Sequence, residues 1–160
     1  MHSERDLQRV IEDFDQLETA LIDSSSIIYM DKAAFLSLLL RELSLVTIAE
    51  VNKETGIDGY PIRIISHALK DIPTDNKIVR CAETNHLPVI SEDHKLLRSC
   101  DLLGIKYYNA LMMLNLLLHK KQADLPVFES SLEKLLQVAH YSNRVRRYGS
   151  DLTAYITKLL

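Results

Sequence analysis

The stretch Pro73 to Leu97, PTDNKIVRCAETNHLPVISEDHKLL, decides the fold. Its spacing predicts a helix to about His86, capped by Thr74 or Asp75, with Ile78, Val79, Ala82 and Cys81 forming an apolar face. Pro88 stands at the break, and the short apolar run Leu87 to Ile90 fits a strand buried in a parallel sheet. The run ends in Ser91-Glu92-Asp93, where a βα loop presents polar groups at the carboxyl edge of such a sheet. Asp75 opens a helix and Asp93 closes a strand, so both can face one edge. That edge is the expected site.

Working outward, a helix over Asp93 to Leu103 and a strand over Gly104 to Tyr108 complete a right-handed βαβ unit. Ala110 to Leu118 is apolar nearly all round and predicts a helix buried against several partners. Two more helices are expected at Phe128 to Tyr141 and Asp151 to Leu160, parted by Asn143 to Arg147, as a cap on the core or a dimer surface. On the other side, Ser3 to Leu17 reads as an amphipathic helix, and Thr19 to Ile22 as a strand running into Asp23-Ser24-Ser25-Ser26. Ala33 to Arg41 predicts a buried helix, and Leu43 to Ile48 a strand or the entry to a helix. Gly56 to Gly59 predicts a turn, Ile62 to Ser66 a strand, and the residues to Ile72 a short helix or turn. The pattern is that of an α/β fold with a short, mostly parallel sheet. It forms a single domain with a core of about residues 20–110, an N-terminal helix and a helical extension over about 110–160.

Composition sets bounds around that reading. At 160 residues the chain can bury a core without staples, and only four glycines and four prolines favour helices over a turn-rich β fold. The net charge of −3 does not advertise a nucleic-acid binder, yet setting four acids aside for a metal site nearly balances the remaining charges. The basic runs His119-Lys120-Lys121 and Arg144-Val145-Arg146-Arg147 read first as solvated helix ends, and second as phosphate contacts. Cys81 and Cys100 lack CxxC spacing, which suits a reduced, cytoplasmic protein. The charged N-terminal segment carries no signal, and Ala110 to Leu118 falls short of the roughly 20 residues a bilayer span takes, so no membrane partner is expected. There is no Gly-rich phosphate loop, no G-x-S-x-G, and no zinc-like histidine spacing.

The candidate chemistry lies in four acids, Asp23, Glu50, Asp75 and Asp93, each near an element boundary or in apolar surroundings. Converging carboxylates repel, so a fold tolerates them with protons or a bound cation, and hard ions such as Mg²⁺ or Mn²⁺ take oxygen ligands. Each has a plainer reading. Asp23 can simply cap a helix, Glu50 can be an exposed helix residue, and Ser91 can be a strand-end cap. Glu92 and His94 read as solvent-facing, and Ser25 as a local cap.

These residues carry a resemblance. The segment TDNKIVRCAETNHLPVISEDHKLL is similar to the second half of a PIN domain, a family of metal-dependent ribonucleases that includes VapC-type toxins. Asp75, Pro88 and Ser91-Glu92-Asp93 match its order of helix-opening aspartate, turn, buried strand and terminal [ST]-x-D. LIDSSSII resembles its first strand with Asp23, and Glu50 in IAEVNKE matches its early helix acid. The resemblance covers about residues 20–110 and implies a three-layer α/β/α fold. It implies that Asp23, Glu50, Asp75 and Asp93 hold one or two Mg²⁺ or Mn²⁺ ions and act as the catalytic residues, with Ser91 in support. It further implies hydrolysis of RNA by activated water, leaving a 5′-phosphate and a 3′-hydroxyl. For a toxin the partner is a small antitoxin protein, and a homodimer is a second option. The alternative is a non-catalytic relative serving as a protein- or RNA-binding module. The chain departs from the pattern between Glu50 and Asp75, where a usual helix pair is missing or reduced.

Overall fold

The computed structural model describes residues 2–56 and 58–160. Five parallel strands form one sheet in the order β3-β2-β1-β4-β5, and helices flank it in an α/β/α arrangement. β1 (Thr19–Ile22) lies at the centre, where its residues Ala20, Leu21 and Ile22 are fully buried. It pairs with β2 (Ser44–Thr47) on one side and β4 (Val89–Ile90) on the other, Leu21 lying opposite both Val46 and Val89. β3 (Arg63–Ile64) and β5 (Tyr107–Tyr108) are the two edges. The chain therefore builds outward from β1 to β2 and β3, then crosses to β4 and β5. That reversal opens a crevice beyond the carboxyl ends of β1 and β4, which is where ligands bind in sheets of this kind.

Local chemistry accounts for most of the helices. Ser3 accepts the Asp6 amide at 3.2 Å and starts α1 (Glu4–Gln16), which buries Leu7, Ile11 and Phe14 at helical spacing. α2 (Ser24–Lys32) begins directly after β1, and the left-handed Ala34, at φ 63°, separates it from α3 (Leu36–Glu42). The helix expected from Ala33 thus begins three residues later. α4 (Ala49–Thr55) ends at Gly56, whose φ of 59° favours a residue without a Cβ. Of the turn expected at Gly56 to Gly59, Ile57 lies outside the described residues. From Asp58 to Pro73 the described chain contains β3 and no helix.

α5 (Thr74–Asn85) and α6 (His94–Leu102) pack side by side. Neither Thr74 nor Asp75 caps α5. The cap position is Pro73, with no side-chain hydrogen bond, so the Asp75 carboxylate is not spent on capping. α7 (Ala110–His119) is buried along almost its whole length and packs against α3, α8 (Leu125–Val138) and α9 (Asn143–Leu159). The predicted break at Asn143 to Arg147 is instead the opening of α9. Ser142 accepts the Val145 amide at 3.2 Å there, and a single 17-residue helix carries the arginines. Cys81 and Cys100 are free and buried, and burial pushes the Cys100 thiol up to about 11. Among the described residues no helix is long and apolar enough to cross a membrane.

Candidate metal centre

Asp23 follows β1 and is only 4% exposed. Its Oδ1 accepts the Ser24 amide at 2.7 Å, which caps α2, and its Oδ2 accepts the Ser91 hydroxyl at 2.9 Å. The capping and site readings of this residue therefore coexist. Ser91, fully buried at the end of β4, also accepts the Asp93 amide at 3.1 Å. Its single hydroxyl thus ties the carboxyl ends of β1 and β4 together across the crevice. Asp93 accepts the Leu96 amide at 3.0 Å through Oδ1 and caps α6.

Asp75 faces the same group from the first turn of α5. It accepts no hydrogen bond among the described residues, and burial, reinforced by the charges of Asp23, Asp93 and Glu54, raises its pKa. Burial raises the Asp23 carboxyl as well. The hydrogen bonds from Ser24 and Ser91 oppose that rise, while the charges of Glu54 and Asp93 add to it. Among the described residues none of Asp23, Glu54, Asp75 and Asp93 forms an ion pair. Four mutually repelling carboxylates therefore sit at one sheet edge without a protein cation to neutralise them.

Glu54 is the member that sequence reasoning passed over. The acid chosen on α4 was Glu50, and the structure places it elsewhere. Its carboxylate pairs with Lys77 Nζ at 3.0 Å and with His67 Nε2 at 2.8 Å. The Lys77 bond above all brings its pKa down to about 2. Glu54, one turn further along α4, instead accepts the Ser24 hydroxyl at 3.0 Å. The signal was available in the i, i+4 relation, which puts both residues on one helix face and leaves the neighbours to choose between them. Lys77, two residues after Asp75, claims Glu50.

Glu92 is a second correction. It was expected to face solvent, but its carboxylate points inward and gathers three elements. Ser26 of α2 and Tyr141, before α9, donate their hydroxyls to it, and the Ala110 amide at the start of α7 donates to both oxygens at 3.1 and 3.2 Å. Burial raises the Glu92 pKa, against these hydrogen bonds. The Tyr141 hydroxyl is raised too, first by burial and then by the Glu92 charge.

A hard divalent cation matches this donor set in two respects, oxygen ligands and excess negative charge. Ser25 Oγ, on the second residue of α2, is buried without a hydrogen bond among the described residues. The same residues also limit the mode of binding. Among the described residues no three His, Cys, Asp or Glu side chains lie close enough to hold one ion by themselves. An ion held here would need waters to complete its shell and to meet some of the carboxylates. His94, the first residue of α6, is exposed, while His67 and His119 are engaged with Glu50 and Asp15. No protein-family model matches the chain, and no curated protein or solved structure is significantly similar to it.

Proposed function

We propose that the chain is a metal-dependent endoribonuclease of PIN type, hydrolysing phosphodiester bonds of RNA at the carboxyl edge of its sheet. One observation carries the reading: Asp23, Asp75 and Asp93, drawn from separate parts of the sequence, converge with Glu54 at the crevice beside β1 and β4 with no neutralising ion pair among the described residues. Asp75 and Asp93 would hold the cation together with Asp23, with Glu54 rather than Glu50 as the fourth acid. A bound Mg²⁺ or Mn²⁺ supplies an activated water and stabilises the leaving oxygen. The chain's own part is orientation. Ser91 fixes the Asp23 carboxylate and the Asp93 backbone in one geometry, and the caps of α2 and α6 hold both acids at helix starts.

A second reading has its own support. Both oxygens of Asp23 already accept protein hydrogen bonds, and the described acids do not close a ready-made ligand shell. That arrangement suits a protein- or RNA-binding module without catalysis. The deciding experiment is cleavage of a mixed pool of transfer RNA and single-stranded RNA with Mg²⁺, Mn²⁺ or chelator, alongside Asp93→Asn. Asparagine still caps α6, so the variant removes charge and keeps the helix start. Products that need the metal and vanish in the variant support the nuclease. Intact RNA under every condition favours the module, and products that survive both chelator and substitution are not this chain's.

A further inference from the structure

A groove of about 480 Å³ runs between α5 and α6, and Asp75 stands in its lining. Helices on either side of a parallel strand run opposite to it, so α5 and α6 both begin at the carboxyl edge that carries the acids. The groove therefore leaves the candidate centre and descends the flank of the molecule. Asn76 and Arg80 line it from α5, and Lys95 and Ser99 from α6. Arg80 and Lys95 are exposed, and among the described residues neither forms an ion pair. Arg80 lies five residues past Asp75, about 7.5 Å along the helix axis at ~1.5 Å per residue. Lys95 is the second residue of α6, nearer the edge. Glu83, three residues past Arg80, also lines the groove and sets a negative charge beside these two cations, and the half-exposed Leu103 lines it without charge.

We propose that this groove is the path of a single-stranded nucleic acid out of the acidic centre, with Lys95 and Arg80 each contacting a backbone phosphate. The inference rests on the nuclease reading above and adds the substrate's form and its seat. Acidic residues that converge on a scissile phosphate need cations beside them to hold the rest of a polyanion, and these are the two free ones in a groove that begins at Asp75. A furrow of about 480 Å³ with two cations in its lining has room for one strand rather than two. Arg80 offers a planar fork to phosphate oxygens and Lys95 a point charge, so neither contact specifies sequence.

The test is binding, read without cleavage. A fluorescein-labelled single-stranded RNA 12-mer is titrated with the protein in chelator, by anisotropy, across a salt series. For single strands each phosphate contact contributes about 0.7 to the slope of log affinity against log salt, or about fivefold in affinity at 0.1 M salt. The double variant Arg80→Ala/Lys95→Ala is expected to bind about 25-fold more weakly at 0.1 M salt, with a slope shallower by about 1.4. Arg144→Ala/Arg147→Ala is the comparison, expected to bind nearly as the wild type. Equal binding by the groove variant and wild type overturns the proposal, as does an equal loss in the α9 variant, which means a diffuse basic surface. A wild type that binds no single-stranded RNA, or one that a duplex of the same sequence outcompetes, also overturns it. The centre itself is read separately, from the rise in melting temperature with Mn²⁺. If that rise survives in the groove variant while binding is unchanged, the groove has failed and the metal centre has not.

Discussion

Glu92→Ala is the substitution that best tests how the outer helices are tied to the sheet. The wild-type carboxylate accepts hydrogen bonds from the Ser26 and Tyr141 hydroxyls and the Ala110 amide. Ser26 and Ala110 are fully buried, so water does not readily replace the missing acceptor. An unsatisfied buried donor costs about 1–3 kcal/mol, although hydroxyls can turn to other acceptors and removal of a buried carboxylate relieves its own desolvation. The net expectation is a loss of about 2–4 kcal/mol, a large share of the ~5–15 kcal/mol that holds a domain folded. At about 2–4 °C per kcal/mol for a chain of this size, the melting temperature falls by roughly 5–15 °C. Thermal unfolding followed by circular dichroism reads it directly. The pH dependence gives a second check. Burial raises the folded-state pKa of Glu92, so its protonated form contributes stability fully present below the unfolded carboxyl value and lost as pH rises through the folded one. Glu92→Gln, which cannot ionise, should therefore flatten the decline in stability toward neutral pH and unfold at a higher temperature than Glu92→Ala. A Glu92→Ala protein melting within a degree of wild type would refute the clamp, and an unchanged pH profile in Glu92→Gln would refute the assignment of that titration.

Three further outcomes follow from the site and the core. The raised carboxyls of Asp23 and Asp75 make the metal-free protein lose stability as pH rises from the ordinary carboxylate range through their folded values, and Mn²⁺ should offset this at neutral pH. At one hundred times the dissociation constant the gain is about 2.7 kcal/mol, so melting curves at several pH values with and without millimolar Mn²⁺ check it, and a shift that is absent at neutral pH counts against the centre. Glu54→Gln should shrink that Mn²⁺ shift while Glu50→Gln leaves it in place. Glu50, held down to about 2, contributes stability that is fully present above the ordinary carboxylate value and is lost progressively as pH falls from there to about 2; differential calorimetry at pH 7 and pH 3 separates the two variants. Gly149→Leu should destabilise by about 1–3 kcal/mol in urea unfolding, since even a Cβ there would lie 2.5 Å from Leu111 Cδ2 across the α7–α9 contact.

The sheet was legible because its strands differ from their surroundings in length and burial. Thr19 to Ile22 and the run before Ser91 are short, apolar and bounded by turn or cap residues, and they lie side by side inside the sheet, β1 at its centre. What the pattern could not give is where tertiary contacts override local signals. Ser24 to Lys32 carries three serines and little periodicity, yet α2 forms because Asp23 caps it and Ile27 and Met30 are buried. Arg144 to Arg147 looked like a break because a charge run resembles a loop, but Ser142 caps it and Gly149, Leu152 and Ile156 pack inward on the same helix. Glu92 illustrates the opposite limit. No local pattern tells a carboxylate that faces water from one awaiting Tyr141, 49 residues away.

The site was legible in part for the same reason. Aspartates that end strands or begin helices announce themselves, because the element boundaries are written nearby, and Asp23, Asp75 and Asp93 come together as their boundaries do. A helix glutamate has no such marker, and its role depends on which cation reaches it. The four acids also differ in how far the fold has already engaged them. Asp23 is held by two protein donors, Asp93 by the α6 amide and Glu54 by one hydroxyl, while Asp75 has none among the described residues. A cation bound at these acids would therefore meet least competition from the protein at Asp75, and removing that carboxylate is expected to disturb the least structure. The same residue opens the groove lined by Arg80 and Lys95. The uncommitted acid and two cations unpaired among the described residues thus share one helix pair, the pair on which the proposed metal ion and phosphate backbone would meet.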